Sequence, residues 1–182
     1  MMRVMVADTW PGIPAAVAVA EAWQEAVQRP WGLLRVDPDP SEAQLKTLWQ
    51  QIAAWGGERD PLLVVPGSLA DPIGPGQTWA DLAQAWGFGV LLTLPQEAAL
   101  SQGAAFAALL HQAKTRCLGW VLLESASVSS PDEEPALIWQ LQAHLGIPVL
   151  GRKTAAGQIS WRAEMLDLLS ARPSSSLGAP LA

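Results

Sequence analysis

The chain has 182 residues, a formal net charge of −6 and an apolar half. That length and apolar content suit one folded domain, expected over 1–172, and exclude a disordered chain. The acidic balance, with no basic run, argues against a nucleic-acid surface, and no stretch reaches the ~20 apolar residues a membrane span needs.

In chain order, Arg3 to Ala7 reads as a buried strand, Asp8 to Gly12 as a tight loop and Ile13 to Gln28 as a helix. Pro14 falls near the first turn of that helix, where its missing N–H is harmless, and Val19, Trp23, Ala26 and Val27 form its apolar stripe. Leu33 to Val36 is a short second strand. The acidic loop Asp37-Pro38-Asp39-Pro40 follows, and Ser41 to Gln44 has the spacing of a capping box opening a second helix. Leu45, Leu48, Ile52 and Trp55 form its inner face, and Gly56-Gly57 ends it. Leu62 to Val65 is apolar throughout, as a strand covered on both faces should be. A Pro/Gly-rich loop runs from Pro66 to Gln77. Thr78, with Asp81 three residues on, caps a short helix to Trp86. Gly89 to Leu94 is a fourth strand. Glu97 to Lys114 is helical, with Phe106, Leu109, Leu110 and Ala113 inward. Cys117 to Leu123 is a fifth strand and 125–132 a polar loop. Glu133 to Leu145 is a helix with Leu137, Leu141 and Leu145 inside. Ile147 to Leu150 is a sixth strand, Ser160 to Ala171 a last helix and 173–182 a loose tail.

Strands alternating with helices predict an α/β fold: one doubly wound domain, with a mostly parallel sheet of six or seven strands and helices on both faces. Ligands in such sheets bind beyond the carboxyl ends of the strands. The candidate positions there are Asp8, Thr9, Trp10, Gly12, Ile13 and Pro14, then Pro66, Gly67 and Ser68, and finally Leu94-Pro95, Leu123 and Glu124. The opening strand, Gly-bearing loop and helix have the layout of a P-loop. Its chemistry is missing. Glycines that let backbone N–H groups wrap phosphates, a Lys and a Mg²⁺-binding hydroxyl are all required. Gly12 survives, but Val6, Ile13 and Pro14 stand at the other positions.

The residues also resemble the dethiobiotin synthase family, over most of the chain and most clearly from residue 60 onwards. Leu63 to Ser68 stands where that family reads L-V-E-G-A-G-G. Thr78-Trp79-Ala80-Asp81-Leu82 is similar to T-[FW]-A-D-[LW], and Gly89 to Leu94 to G-x-P-V-I-L-V. Leu118-Gly119-Trp120-Val121 resembles L-x-G-[WV]-V. Leu145 to Gly151 is similar to L-G-I-P-V-L-G, and Ala7-Asp8-Thr9 to part of G-T-D-T-x-V-G-K-T. The resemblance implies a P-loop NTPase-like fold and an ATP- and Mg²⁺-dependent closure of the ureido ring of dethiobiotin. It also implies which groups are gone. Ile13 and Pro14 replace the loop Lys and Thr, Pro66 the strand-end Glu that helps hold Mg²⁺, and the adenine-reading Asn falls near Leu123. A substrate-side Lys matches Asp37 best. The family's long segment between the second and third strands, with a further metal-binding Asp, shrinks to one loop and one helix. Four charge-assisted contacts at roughly 1.5–3 kcal/mol each amount to about 6–12 kcal/mol if additive, most of a micromolar affinity.

Each candidate keeps a plain reading beside the functional one. Asp8 and Thr9 are a remnant site, or a loop acid and a cap hydroxyl. Gly67-Ser68 is an anion nest, or a turn that needs Gly. Trp10 covers the old pocket, docks a partner, or packs. Glu124 is a base or a solvated acid, and Arg152-Lys153 touches a phosphate or belongs to a solvated loop. Asp37 and Asp39 read as solvated rather than cation-binding, His111 and His144 have no metal spacing, and Cys117 reads as an inert core thiol. Ten tryptophans with no tyrosine are core filler or include an exposed docking patch.

The expectation is a non-catalytic protein on this scaffold, with no cofactor and no metal, that binds a protein partner or pairs with itself. The alternative is a divergent dethiobiotin synthase using ATP and Mg²⁺. One cysteine suits a reducing cytoplasm, and a signal peptide is not expected, because Asp8 and Pro11 interrupt the first apolar run.

Overall fold

The computed structural model describes residues 1–9, 14–27, 29–124, 133–163 and 165. Val4–Asp8 forms β1, every residue of it buried. Alternation explains why a short strand can be so apolar. Val4 and Val6 face one side of the sheet and Met5 and Ala7 the other, and each side is a separate core. After β1 come α1 (Ala16–Ala26), β2 (Trp31–Arg35), α2 (Glu42–Ala54) and β3 (Asp60–Ser68). A small antiparallel pair, β4 (Pro72–Gly74) and β5 (Gln77–Thr78), precedes α3 (Trp79–Ala85). The second half adds β6 (Gly89–Pro95), α4 (Ala99–Gln112), β7 (Cys117–Leu123), α5 (Glu133–Leu145), β8 (Val149–Lys153) and β9 (Ile159–Trp161).

The main sheet has seven strands in the order β2-β3-β1-β6-β7-β8-β9. All its pairings are parallel except β8 with β9. The chain winds outward from β1 to β2, returns to β3, then crosses to β6 on the other flank. The order therefore reverses beside β1, and the strand ends there form the crevice of a doubly wound sheet. One face packs α1 through Ala16, Val19, Ala20 and Trp23, together with Met165. The opposite face packs α2, α3, α4 and α5 through residues such as Ile52, Trp79, Phe106 and Leu141.

Several boundaries differ from expectation. Helix α1 begins at Ala16, and Ala26 is exposed while Ala16 and Ala20 are buried. Strand β2 starts at Trp31, two residues before the apolar run, because Trp31 and Gly32 pair with Asp60 and Pro61. Strand β8 is shifted to 149–153, and Arg152 and Lys153 belong to it rather than to a loop. Ser160 and Trp161 lie in β9, not in a final helix: they pair antiparallel with Arg152 and Gly151 and close the edge of the sheet. The rest of that helix, the 125–132 loop and the tail lie outside the described residues. Both capping boxes form, Ser41 with Gln44 and Thr78 with Asp81.

Tryptophan serves mostly as filler. Trp23, Trp79 and Trp120 are fully buried, and among the described residues their indole N–H groups have no hydrogen-bond partner. Each such orphan donor costs about 1–3 kcal/mol against the large area its ring buries. Among the described tryptophans Trp139 on α5 is the exception, 68% exposed.

Candidate functional site

Strand β1 runs through Val6, Ala7 and Asp8, the first three positions of the loop pattern, and α1 begins at Ala16. Ala15 stands at the cap position of α1 with no capping side chain, and the first turn of α1 has no acid. Asp8 supplies both from seven residues back. Its two oxygens accept from the Ala15 N–H at 3.2 and 3.3 Å, and Oδ1 also accepts from the Ala16 N–H at 3.0 Å. The Thr93 hydroxyl, from the neighbouring β6, donates to the same Oδ1 at 2.5 Å. Asp8 is 4% exposed and Thr93 1%. Burial pushes the Asp8 pKa up, while the Thr93, Ala16 and Ala15 donors and the positive charge of Lys153 pull the other way.

Thr9 is buried, and its hydroxyl donates to Gln102 Oε1 of α4 at 3.0 Å. Pro14 precedes α1 and is exposed. Trp10, Gly12 and Ile13 lie outside the described residues.

Pro66, Gly67 and Ser68 are not a free loop, as expected, but the bulged end of β3. Ala7 pairs with Val65 and Asp8 with Ser68, so Pro66 and Gly67 are extra residues in the register. Gly67 has φ +107, and a Cβ there would lie 2.6 Å from Asp71 Oδ2. The same Oδ2 accepts from the Ser68 N–H at 2.8 Å, and the Ser68 hydroxyl accepts from the Ala70 N–H at 3.2 Å. The donor that an anion nest would offer is engaged by Asp71.

Leu123 ends β7, buried, and pairs with Lys153. Its aliphatic side chain has no donor or acceptor with which to read a base. Glu124 is half-buried, its N–H donates to the Lys153 carbonyl, and its Oε2 accepts from the Ala155 N–H at 3.2 Å. Arg152 pairs with Glu134 of α5. Asp37 accepts from Gln44 Nε2 at 3.0 Å. His111 and His144 are exposed on separate helices, and among the described residues no group of three His, Cys, Asp or Glu side chains could hold a metal. Burial pushes the Cys117 thiol up to about 12. A hollow of about 400 Å³ lies elsewhere, on α5, lined by Glu134, Pro135, Ile138, Trp139, Gln142 and Arg162.

The structure therefore brings Asp8, Ser68 and Thr93 together at the ends of three adjacent strands. Thr93, Asp71 and Gln102 escaped the sequence reading. Thr93 carries the single hydroxyl in the 89–95 run, and Ser68 and Asp71 have capping-box spacing, so both signals were present but faint.

A mostly parallel sheet whose strand order reverses beside β1, with helices on both faces, defines the class: a doubly wound α/β protein. MinD, the cell division protein of Aquifex aeolicus, shares this fold, with a TM-score of 0.57 at 10% identity over 93% of this chain and 86% of MinD. In sequence the chain is 32% identical over 128 residues to the ATP-dependent dethiobiotin synthetase BioD of Synechocystis sp., a match covering 65% of this chain. It spans about half that relative's length, 51%. No family model matches. The chain is thus similar in sequence to a dethiobiotin synthetase over part of its length and similar in fold to MinD. No helix among the described residues is long and apolar enough to cross a membrane.

Proposed function

We propose that this is a non-catalytic dethiobiotin-synthetase-like protein that needs no nucleotide or metal and works by contacting another protein, as a self-associated pair or with a different partner. One observation carries the reading. The residues at the two strand ends supply no charge for a phosphate: Ile13, Pro14 and Pro66 stand where the resembled family has its loop Lys, loop Thr and metal-binding Glu, and Asp71 engages the Ser68 N–H that an anion nest would offer. The exposed Trp139 beside its hollow supports a contact surface on α5. Isothermal titration with millimolar MgATP tests the first half; the expected result is no saturable heat, and a micromolar dissociation constant would end it. Sedimentation velocity across a concentration series tests self-association.

A second reading is favoured by the relative's printed activity and by Lys153 at the strand ends: a divergent dethiobiotin synthase with a relocated cation, using ATP and Mg²⁺. It requires that the purified protein form dethiobiotin from diaminopelargonate, bicarbonate and MgATP. No product and no rescue of a biotin auxotroph would discard it.

A further inference from the structure

We propose that α2 is a strap over the β2–β3 flank of the sheet: tethered at both ends, latched in the middle by Arg3, Trp49 and Trp86, and able to open as a unit while the rest of the chain stays folded. The inference does not depend on whether a nucleotide binds.

Anchorage is the first observation. Ile52 is the single fully buried side chain among the 13 residues of α2. Helix α1 buries four in 11 residues and α4 four in 14. Ile52 joins Leu34, Leu63 and Val65 in one core, and Leu45 and Leu48 are only half-buried against it. Among the described residues the hydrogen bonds of the cap and of the α2 side chains stay local. Ser41 and Gln44 bond each other, Gln44 donates to Asp37, and Thr47 donates to the Ala43 carbonyl.

The ends are held better than the helix between them. Pro40 is buried at the entry. At the exit, Trp55 fills the notch left by Gly32 of β2, where a Cβ would lie 2.3 Å from its ring. Gly56 and Gly57 follow at φ +57 and +92, and a Cβ on either would meet nothing within 4 Å. Two glycines in open space supply slack beside that tether.

The latch lies midway. The Trp49 ring sits 5.1 Å from that of Trp86, the cap residue at the end of α3. The Arg3 guanidinium lies 5.3 Å from the centre of the Trp49 ring and donates to the Trp86 carbonyl. Arg3 precedes β1, so one cation ties α2 and α3 to the central strand. All three side chains are half-buried. Aromatic and cation–π contacts of this kind are individually weak, and they hold a helix without locking it. Lifting α2 bares the aliphatic side chains around Ile52.

Native-state hydrogen exchange read by mass spectrometry tests the strap, comparing residues 42–54 with α1 and α4 after correction for intrinsic rates. The α2 amides should exchange together and at least about tenfold faster than those of α1 and α4. Trp49→Ala should speed α2 by about tenfold more, and Arg3→Met by about threefold, with α1 and α4 unchanged. An α2 as well protected as α1 and α4 overturns the proposal, as does a rise in Trp49→Ala spread equally over all three helices. If Trp49→Ala does not fold, Arg3→Met decides: a rise confined to α2 supports the strap, and no rise or a uniform one overturns it.

Discussion

The turns after β1 and β3 solve one problem with different depth. Each ends a buried parallel strand at the crossover of the sheet, and each fills its own backbone donors with an aspartate. Asp8 is buried at the sheet end and accepts from the head of α1 and from the Thr93 hydroxyl. Asp71 is half-exposed and closes a local bulge within three residues of Ser68. The first contact joins β1, α1 and β6, and the second joins a turn to itself. Internal carboxylates can therefore satisfy backbone donors in two ways, as an element of the core or as a surface clasp, and mutation should separate them.

The sharpest separation comes from deleting each acid. Asp8→Ala loses a helix cap and strands the buried Thr93 hydroxyl and two N–H groups, so it should cost about 2–4 kcal/mol in urea unfolding. Next comes Gly67→Ala. At φ +107 a Cβ is strained, and it would lie 2.6 Å from Asp71 Oδ2, so a loss of about 1–3 kcal/mol is expected. Asp71→Ala should cost less than either, about 0.5–1.5 kcal/mol, because water can replace its one bond to Ser68. Equal losses for Asp8→Ala and Asp71→Ala would erase the distinction between core element and clasp.

Much of this was legible in the sequence, for reasons that can be named. The unbroken apolar runs of β1, β3, β6 and β7 announce strands covered on both faces, and the two capping boxes announce helix starts. The missing P-loop Lys and hydroxyl were read directly from Ile13 and Pro14. Contacts between distant segments were not legible. Asp8 meets Thr93 across 85 positions, and nothing local marks either as the other's partner. Strand β9 escaped because Ser160 and Trp161 begin an amphipathic pattern that also suits a helix; pairing with β8, a tertiary fact, decided otherwise. Tryptophan burial was likewise a matter of packing, which places Trp120 in the core and Trp139 in solvent.

The smallest effect is the pH dependence that belongs to Asp8 alone. Burial raises its folded pKa above the ordinary 3.8, whereas the unfolded chain keeps that ordinary value. Between the two, the folded chain binds more protons than the unfolded one, so this group's contribution to stability falls as pH rises. The loss begins near pH 3.8 and is complete above the folded pKa. Asp8→Asn cannot titrate and lacks this slope. The stability of the wild type relative to Asp8→Asn should therefore decline as urea unfolding is repeated from acidic to neutral pH. A flat difference for Asp8→Asn would mean that this buried carboxylate does not bear a cost of burial.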